Sequence, residues 1–92
     1  MSEFRKTVTI TNSRGLHARA SAKFVTYVSK LPDSLTVRVA KDGTEVTGTS
    51  IMGLMMLGAA KGDTVDIIVE GDQADAALEK LAGLVVDGFG ED

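Results

Sequence analysis

The hydrophobic period of this 92-residue chain changes at Asn12-Ser13-Arg14-Gly15, and a chain patterned in that way must combine helices with strands. Before the change, residues 4–11 read Phe-Arg-Lys-Thr-Val-Thr-Ile-Thr. Lys6, Val8 and Ile10 fall on one side and Arg5, Thr7, Thr9 and Thr11 on the other. The β-branched content and the period of two predict a strand with one buried face. After the change the period is helical. Ala20, Phe24, Tyr27, Val28 and Leu31 share an apolar stripe flanked by Val25, while Arg19, Lys23, Thr26 and Lys30 occupy the rest of the circumference. Pro32 closes that helix, predicted from Ala18 to Leu31, because the residue before a proline is biased away from helical geometry.

The remaining chain repeats the alternation of periods. Leu35, Val37 and Val39 alternate with Thr36 and Arg38, and Asp42-Gly43 then supplies a strong hairpin signal, so a shorter strand returns over 44–47. Ser50 to Gly58 is apolar nearly all round and holds Met52, Met55 and Met56. A fourth strand follows over 64–70, with Val65, Ile67 and Val69 inward. Asp72 and Asp75 resemble a capping box for a last helix, whose Ala74, Leu78, Leu81 and Val85 repeat at helical spacing before Gly88 and Gly90 end it. The order β-α-β-β-α-β-α predicts an α+β fold, an open-faced sandwich of a four-stranded antiparallel sheet with three helices on one face. No internal repeat, low-complexity stretch or linker interrupts residues 1–92, which read as one domain.

Composition narrows the function classes. The chain has no cysteine and one histidine, so neither disulfides nor a tight zinc site are expected, and no cofactor is called for. A net charge of −3 argues against bulk nucleic-acid binding, which needs a basic face. No apolar run is long enough to span a bilayer and no signal-peptide core opens the chain, so a cytoplasmic protein without membrane insertion is expected.

The lone histidine, His17, falls where the first loop becomes the first helix. The first N–H groups of a helix lack internal partners and the helix dipole adds positive character there, which favours an anion. Arg19 in the first turn, and Arg14 just before it, are cations set against that local field. An imidazole of ordinary pKa, about 6.5, keeps a large neutral fraction near neutrality and can act as a nucleophile. Gly15 allows a backbone conformation closed to other residues, bringing the loop near the ring. No carboxylate lies nearby in sequence to complete a hydrolytic dyad. A group that receives something and hands it on fits better than one that turns over substrate alone.

Gly15-Leu16-His17-Ala18-Arg19 resembles the active-site signature of the HPr family, the histidine-containing phosphocarriers of the bacterial phosphotransferase system. Ser50-Ile51-Met52-Gly53-Leu54-Met55, followed by Gly58-Ala59-Ala60-Lys61-Gly62, resembles that family's second motif at the family's spacing. The resemblance covers nearly the whole chain and carries the same element order. It implies that His17 accepts a phosphoryl group at Nδ1 from phospho-enzyme I, itself charged by phosphoenolpyruvate, and passes it to an EIIA-type protein. The chain would then be a stoichiometric carrier rather than an enzyme. Arg19 and the backbone N–H of Ala18 would contact the phosphoryl group. Where the family signature continues with proline this chain has Ala20, which keeps an N–H and frees the backbone. Chains with that alanine resemble the nitrogen-related, regulatory branch.

The methionine-rich helix is too apolar for so small a domain to bury whole, and methionine suits a surface that meets differently shaped partners. Leu16, Ala20, Ile51, Met52 and Met55 are the expected docking residues. Ser50 reads as the N-cap of that helix. In many relatives the matching serine is phosphorylated by HPr kinase/phosphorylase, which would add negative charge at the docking surface. A monomer is expected. Two readings of other classes remain: a regulatory module that only binds a partner through the methionine-rich helix, and an RNA-binding βαββαβ domain. The latter needs stacking aromatics on central strands, where this chain has none.

Overall fold

Alternating β-branched residues build the sheet. The computed structural model describes residues 2–91, in which four strands form: β1 (Glu3–Thr9), β2 (Thr36–Lys41), β3 (Thr44–Thr47) and β4 (Thr64–Glu70). All pairings are antiparallel and the order is β1-β4-β2-β3, so the last strand lies inside the sheet. Cross-strand pairs Val8–Val65, Val39–Ile67 and Val37–Val69 line the inner face and belong to one buried cluster. Each such side chain contributes about 1.5–3 kcal/mol by leaving water. The turn between β2 and β3 takes positive φ at Asp42 (51°) and Gly43 (83°), the conformation that Asp-Gly favours between twisted strands.

Three helices cover the inner face: α1 (Ala18–Ser29), α2 (Ile51–Met56) and α3 (Ala74–Val86), with a final 3-10 turn over Gly88–Gly90. The expected fold class is therefore the observed one. α1 buries Ala20, Phe24 and Val28, and α3 buries Ala74, Leu78, Leu81 and Val85. α2 packs beside α1 and against β3. The outer face of the sheet is polar. Arg38 bonds Glu45 and Glu3 at 2.7 and 2.8 Å, and Arg5 bonds Asp66 at 2.8 Å. A hydrogen bond from Thr7 holds the Asp66 carboxyl below the ordinary range, helped against desolvation by Arg5. Between Arg5 and Arg38, Ile68 is nonetheless fully buried, as apolar groups are beneath the stems of long cations.

Three local expectations are corrected. β1 ends at Thr9 rather than Thr11, because Ile10 exchanges its backbone bonds with Asp63 and Gly62 instead of the ladder, both at 2.8 Å. α1 ends at Ser29, two residues before Leu31, where the last turn tightens: the Lys30 N–H donates to the Tyr27 carbonyl at 3.1 Å and the Leu31 N–H to the Val28 carbonyl at 3.0 Å. The Asp72–Asp75 box does not form. The cap position falls on Gln73, left-handed at φ 60° with no side-chain bond, because the chain turns sharply through Gly71 (φ 130°) and the Ala74 N–H donates to the Gly71 carbonyl.

Candidate functional site at the start of the first helix

Gly15 sets the approach. It lies at φ 64°, and a Cβ built there would stand 2.2 Å from the Ala59 carbonyl oxygen, so only glycine fits this crossing. The Leu16 N–H donates to that same oxygen at 2.9 Å, and the His17 N–H donates to the Gly15 carbonyl at 2.9 Å. The loop thus delivers His17 to the N-cap of α1 with extended backbone (φ −76°, ψ −178°). The helix begins at Ala18 even though Ala20 stands where the family signature has proline. Its first carbonyl bond runs from the Ser21 N–H to His17 at 2.9 Å.

The two ring nitrogens have different partners. Nδ1 accepts the Arg19 backbone N–H at 3.2 Å, the bond an N-cap serine would ordinarily take. A nitrogen that accepts carries the lone pair, which assigns the proton of the neutral ring to Nε2. Nε2 in turn lies 2.7 Å from Glu91 Oε2 and donates to it. Glu91 Oε1 accepts from Asn12 Nδ2 at 3.0 Å, and the same amide donates to the Gly15 carbonyl at 2.8 Å. These bonds fix the Asn12 amide and leave its Oδ1 buried without a partner among the described residues, at a cost of about 1–3 kcal/mol. Desolvation pushes the Glu91 carboxyl up, but hydrogen bonds from His17 and Asn12 and the charges of His17 and Lys23 outweigh it and hold it below the ordinary range.

Cations surround this corner. Ser13, Arg14, Arg19, Lys23, Gly90 and Glu91 line an open cleft of about 530 Å³. Arg14 and Arg19 are exposed, as is Ala18, whose N–H belongs to the helix turn that lacks internal acceptors. The Nδ1 lone pair, the helix-start N–H groups and the cations together form a place for an anion beside the imidazole. Among the described residues no cluster of His, Cys, Asp or Glu could hold a metal ion, and no helix is long and apolar enough to cross a membrane.

The docking residues divide. Ile51, Met52 and Met55 are exposed on α2, as expected, but Met56 is the most open of all at 79% exposure and was not singled out by the pattern. Leu16 and Ala20 are corrected. Ala20 lies on the helical row that Phe24 and Val28 bury, and Leu16 packs into the same core just before the helix, so both side chains face inward, at 0% and 7% exposure. Ser50 caps α2 as expected, its Oγ accepting the Gly53 N–H at 2.9 Å. Glu91 escaped the sequence reading because it stands 74 residues from His17. The available signal was Phe89, an aromatic between two glycines past a helix end. It packs at 1% exposure and returns the tail to the core.

Comparison with known proteins agrees with this geometry. A family model described as the PTS HPr component phosphorylation site matches residues 4–87. The phosphocarrier protein HPr of Pseudomonas aeruginosa is 45% identical over 85 residues, 91% of this chain and 92% of that protein. HPr of Xylella fastidiosa is 39% identical over 85 residues, 92% and 93% of the two chains. The crystal structure of HPr-C-His from Thermoanaerobacter tengcongensis superposes with a TM-score of 0.86 at 41% identity, covering 100% of this chain and 99% of that one. A histidine-capped helix start on this sheet, with matches of that extent, places the chain in the HPr family, the bacterial phosphocarriers of the phosphotransferase system.

Proposed function

We propose that the chain acts as a cytoplasmic, monomeric carrier through His17, taking a phosphoryl group from phospho-enzyme I and giving it to an EIIA-type protein, with residues 1–92 working as one domain. The observation that carries this reading is the Nδ1 lone pair at the start of α1, marked by the Arg19 N–H that donates to it. In the transfer, that lone pair attacks the phosphorus of the donor phosphohistidine. The donor's P–N bond breaks, its electron pair stays on the donor imidazole, and an Nδ1–P bond forms while Nε2 keeps its proton. The Ala18 and Arg19 N–H groups and the Arg19 guanidinium supply donors and charge for the phosphoryl oxygens. Passing the group onward reverses the sequence.

Ile51, Met52 and Met55, joined by Met56, form the docking surface for both partners, and their exposure on an element that packs beside α1 supports that role. Ser50 is a regulatory position for HPr kinase/phosphorylase. A phosphate there would suit the helix start electrostatically while placing charge next to Ile51 and Met52. Incubation with phosphoenolpyruvate and enzyme I should add one acid-labile phosphate to the intact mass. The same adduct on His17→Ala would overturn the assignment.

A further inference from the structure

We infer that Glu91 is a positioning residue for phosphoryl transfer, holding the His17 ring through Nε2–H so that Nδ1 presents its lone pair; this rests on the carrier reading above. The carboxylate is placed by the fold rather than by chance proximity. Gly88, Phe89 and Gly90 all take positive φ (71°, 59° and 75°), and an aromatic residue is rarely found in that region. The turn is fastened at four points. Phe89 is buried in the core, and its carbonyl accepts Lys23 Nζ at 2.7 Å. The Glu91 N–H donates to the Gly88 carbonyl at 3.0 Å, and Thr11 Oγ1 donates to the Val86 carbonyl at 3.0 Å. A strained turn secured in this way delivers one side chain to one ring nitrogen. Both carboxylate oxygens are then used, one by His17 and one by the buried Asn12.

The chemistry explains why a carboxylate belongs there. As Nδ1 bonds phosphorus, the ring gains positive charge shared with Nε2–H, and a carboxylate 2.7 Å from Nε2 stabilises that charge. The arrangement parallels the carboxylate that orients a histidine from its far nitrogen in hydrolases, with the near nitrogen here acting as nucleophile instead of base. No proton leaves the ring in the step: Nε2 keeps it, hydrogen-bonded to Glu91. The charged groups sharing the cleft with Glu91 are Arg14, Arg19 and Lys23, all cations, so Glu91 is the one described carboxylate lining it.

The test compares wild type, Glu91→Gln and Glu91→Ala in phosphorylation by enzyme I and phosphoenolpyruvate, across pH. Glu91→Gln keeps the shape and an acceptor but loses the charge. Both variants should accept phosphate roughly tenfold more slowly, and the pH range over which the phosphorylated ring stays protonated, followed by phosphorus NMR, should end about one unit lower. A merely structural role for Glu91 would not move that limit in the isosteric variant. A normal adduct on wild type with an unchanged rate and pH limit in Glu91→Gln overturns the role of Glu91 alone. Absence of any His17 adduct on wild type overturns the carrier reading and this one with it.

Discussion

The starts of α1 and α2 solve the same local problem with different atoms. Each helix opens on an extended residue whose side chain accepts a first-turn N–H, and neither has an acidic residue in its first turn. At α2 the acceptor is Ser50 Oγ, 2.9 Å from the Gly53 nitrogen, a common and effective cap. At α1 it is His17 Nδ1, 3.2 Å from the Arg19 nitrogen, an uncommon cap with a longer bond. The second choice is poorer for stability, and on the proposed carrier reading it is better for chemistry, because the capping atom holds a lone pair at the positive end of a helix. The surroundings differ in the same sense: cations border the first start, apolar side chains the second. A cap that only caps is free to be optimal, whereas on the proposed carrier reading the His17 cap would have to release its N–H to a phosphoryl group, in keeping with its longer bond.

The largest effect should come from exchanging the two solutions. His17→Ser keeps a cap acceptor at α1 and removes the nucleophile, so phosphorylation by enzyme I should disappear while unfolding free energy stays within about 1 kcal/mol of wild type. Intact mass and urea denaturation report the two quantities. The reciprocal change is smaller. Ser50→Ala should destabilise the protein by about 1 kcal/mol, through the lost bond to the Gly53 N–H, and leave the His17 adduct intact. The smallest effect concerns acid. Glu91 has a depressed carboxyl value in the fold, so the stability it contributes is present above the ordinary glutamate range, about 4.3, and is lost as pH falls through its lower folded value. Wild type and Glu91→Gln should therefore differ fully in stability above the ordinary range and converge only below the depressed folded value, as measured by denaturation at several pH values.

Much of this comparison was legible in the sequence, because both caps are local. The change of period at residues 12–15 located the start of α1, Ser50 before an apolar run located α2, and the alternating valines located the strands. What failed was either tertiary or hidden by a competing local effect. The Asp72–Asp75 box is overridden by the tight turn through Gly71, which moves the cap to Gln73. Leu16 and Ala20 lie beside His17 in sequence, yet Ala20 shares the buried helical row of Phe24, and Leu16, tied to the Ala59 carbonyl just before the helix, packs into the same core. Met56 is exposed because α2 is short and buries Leu54, followed by Leu57 at its end. Glu91 depends on Phe89 anchoring a left-handed turn, and no periodicity encodes that.

On the carrier reading, Nδ1 of His17 takes the phosphoryl group while Nε2 keeps its proton against Glu91. The most direct measurement is a phosphorus–proton and nitrogen–proton NMR correlation on protein phosphorylated by enzyme I. The predicted result is a single phosphohistidine linked through Nδ1, with its proton on Nε2. Phosphate linked to Nε2, or found on a residue other than His17, would rule out Nδ1 of His17 as the carrying atom.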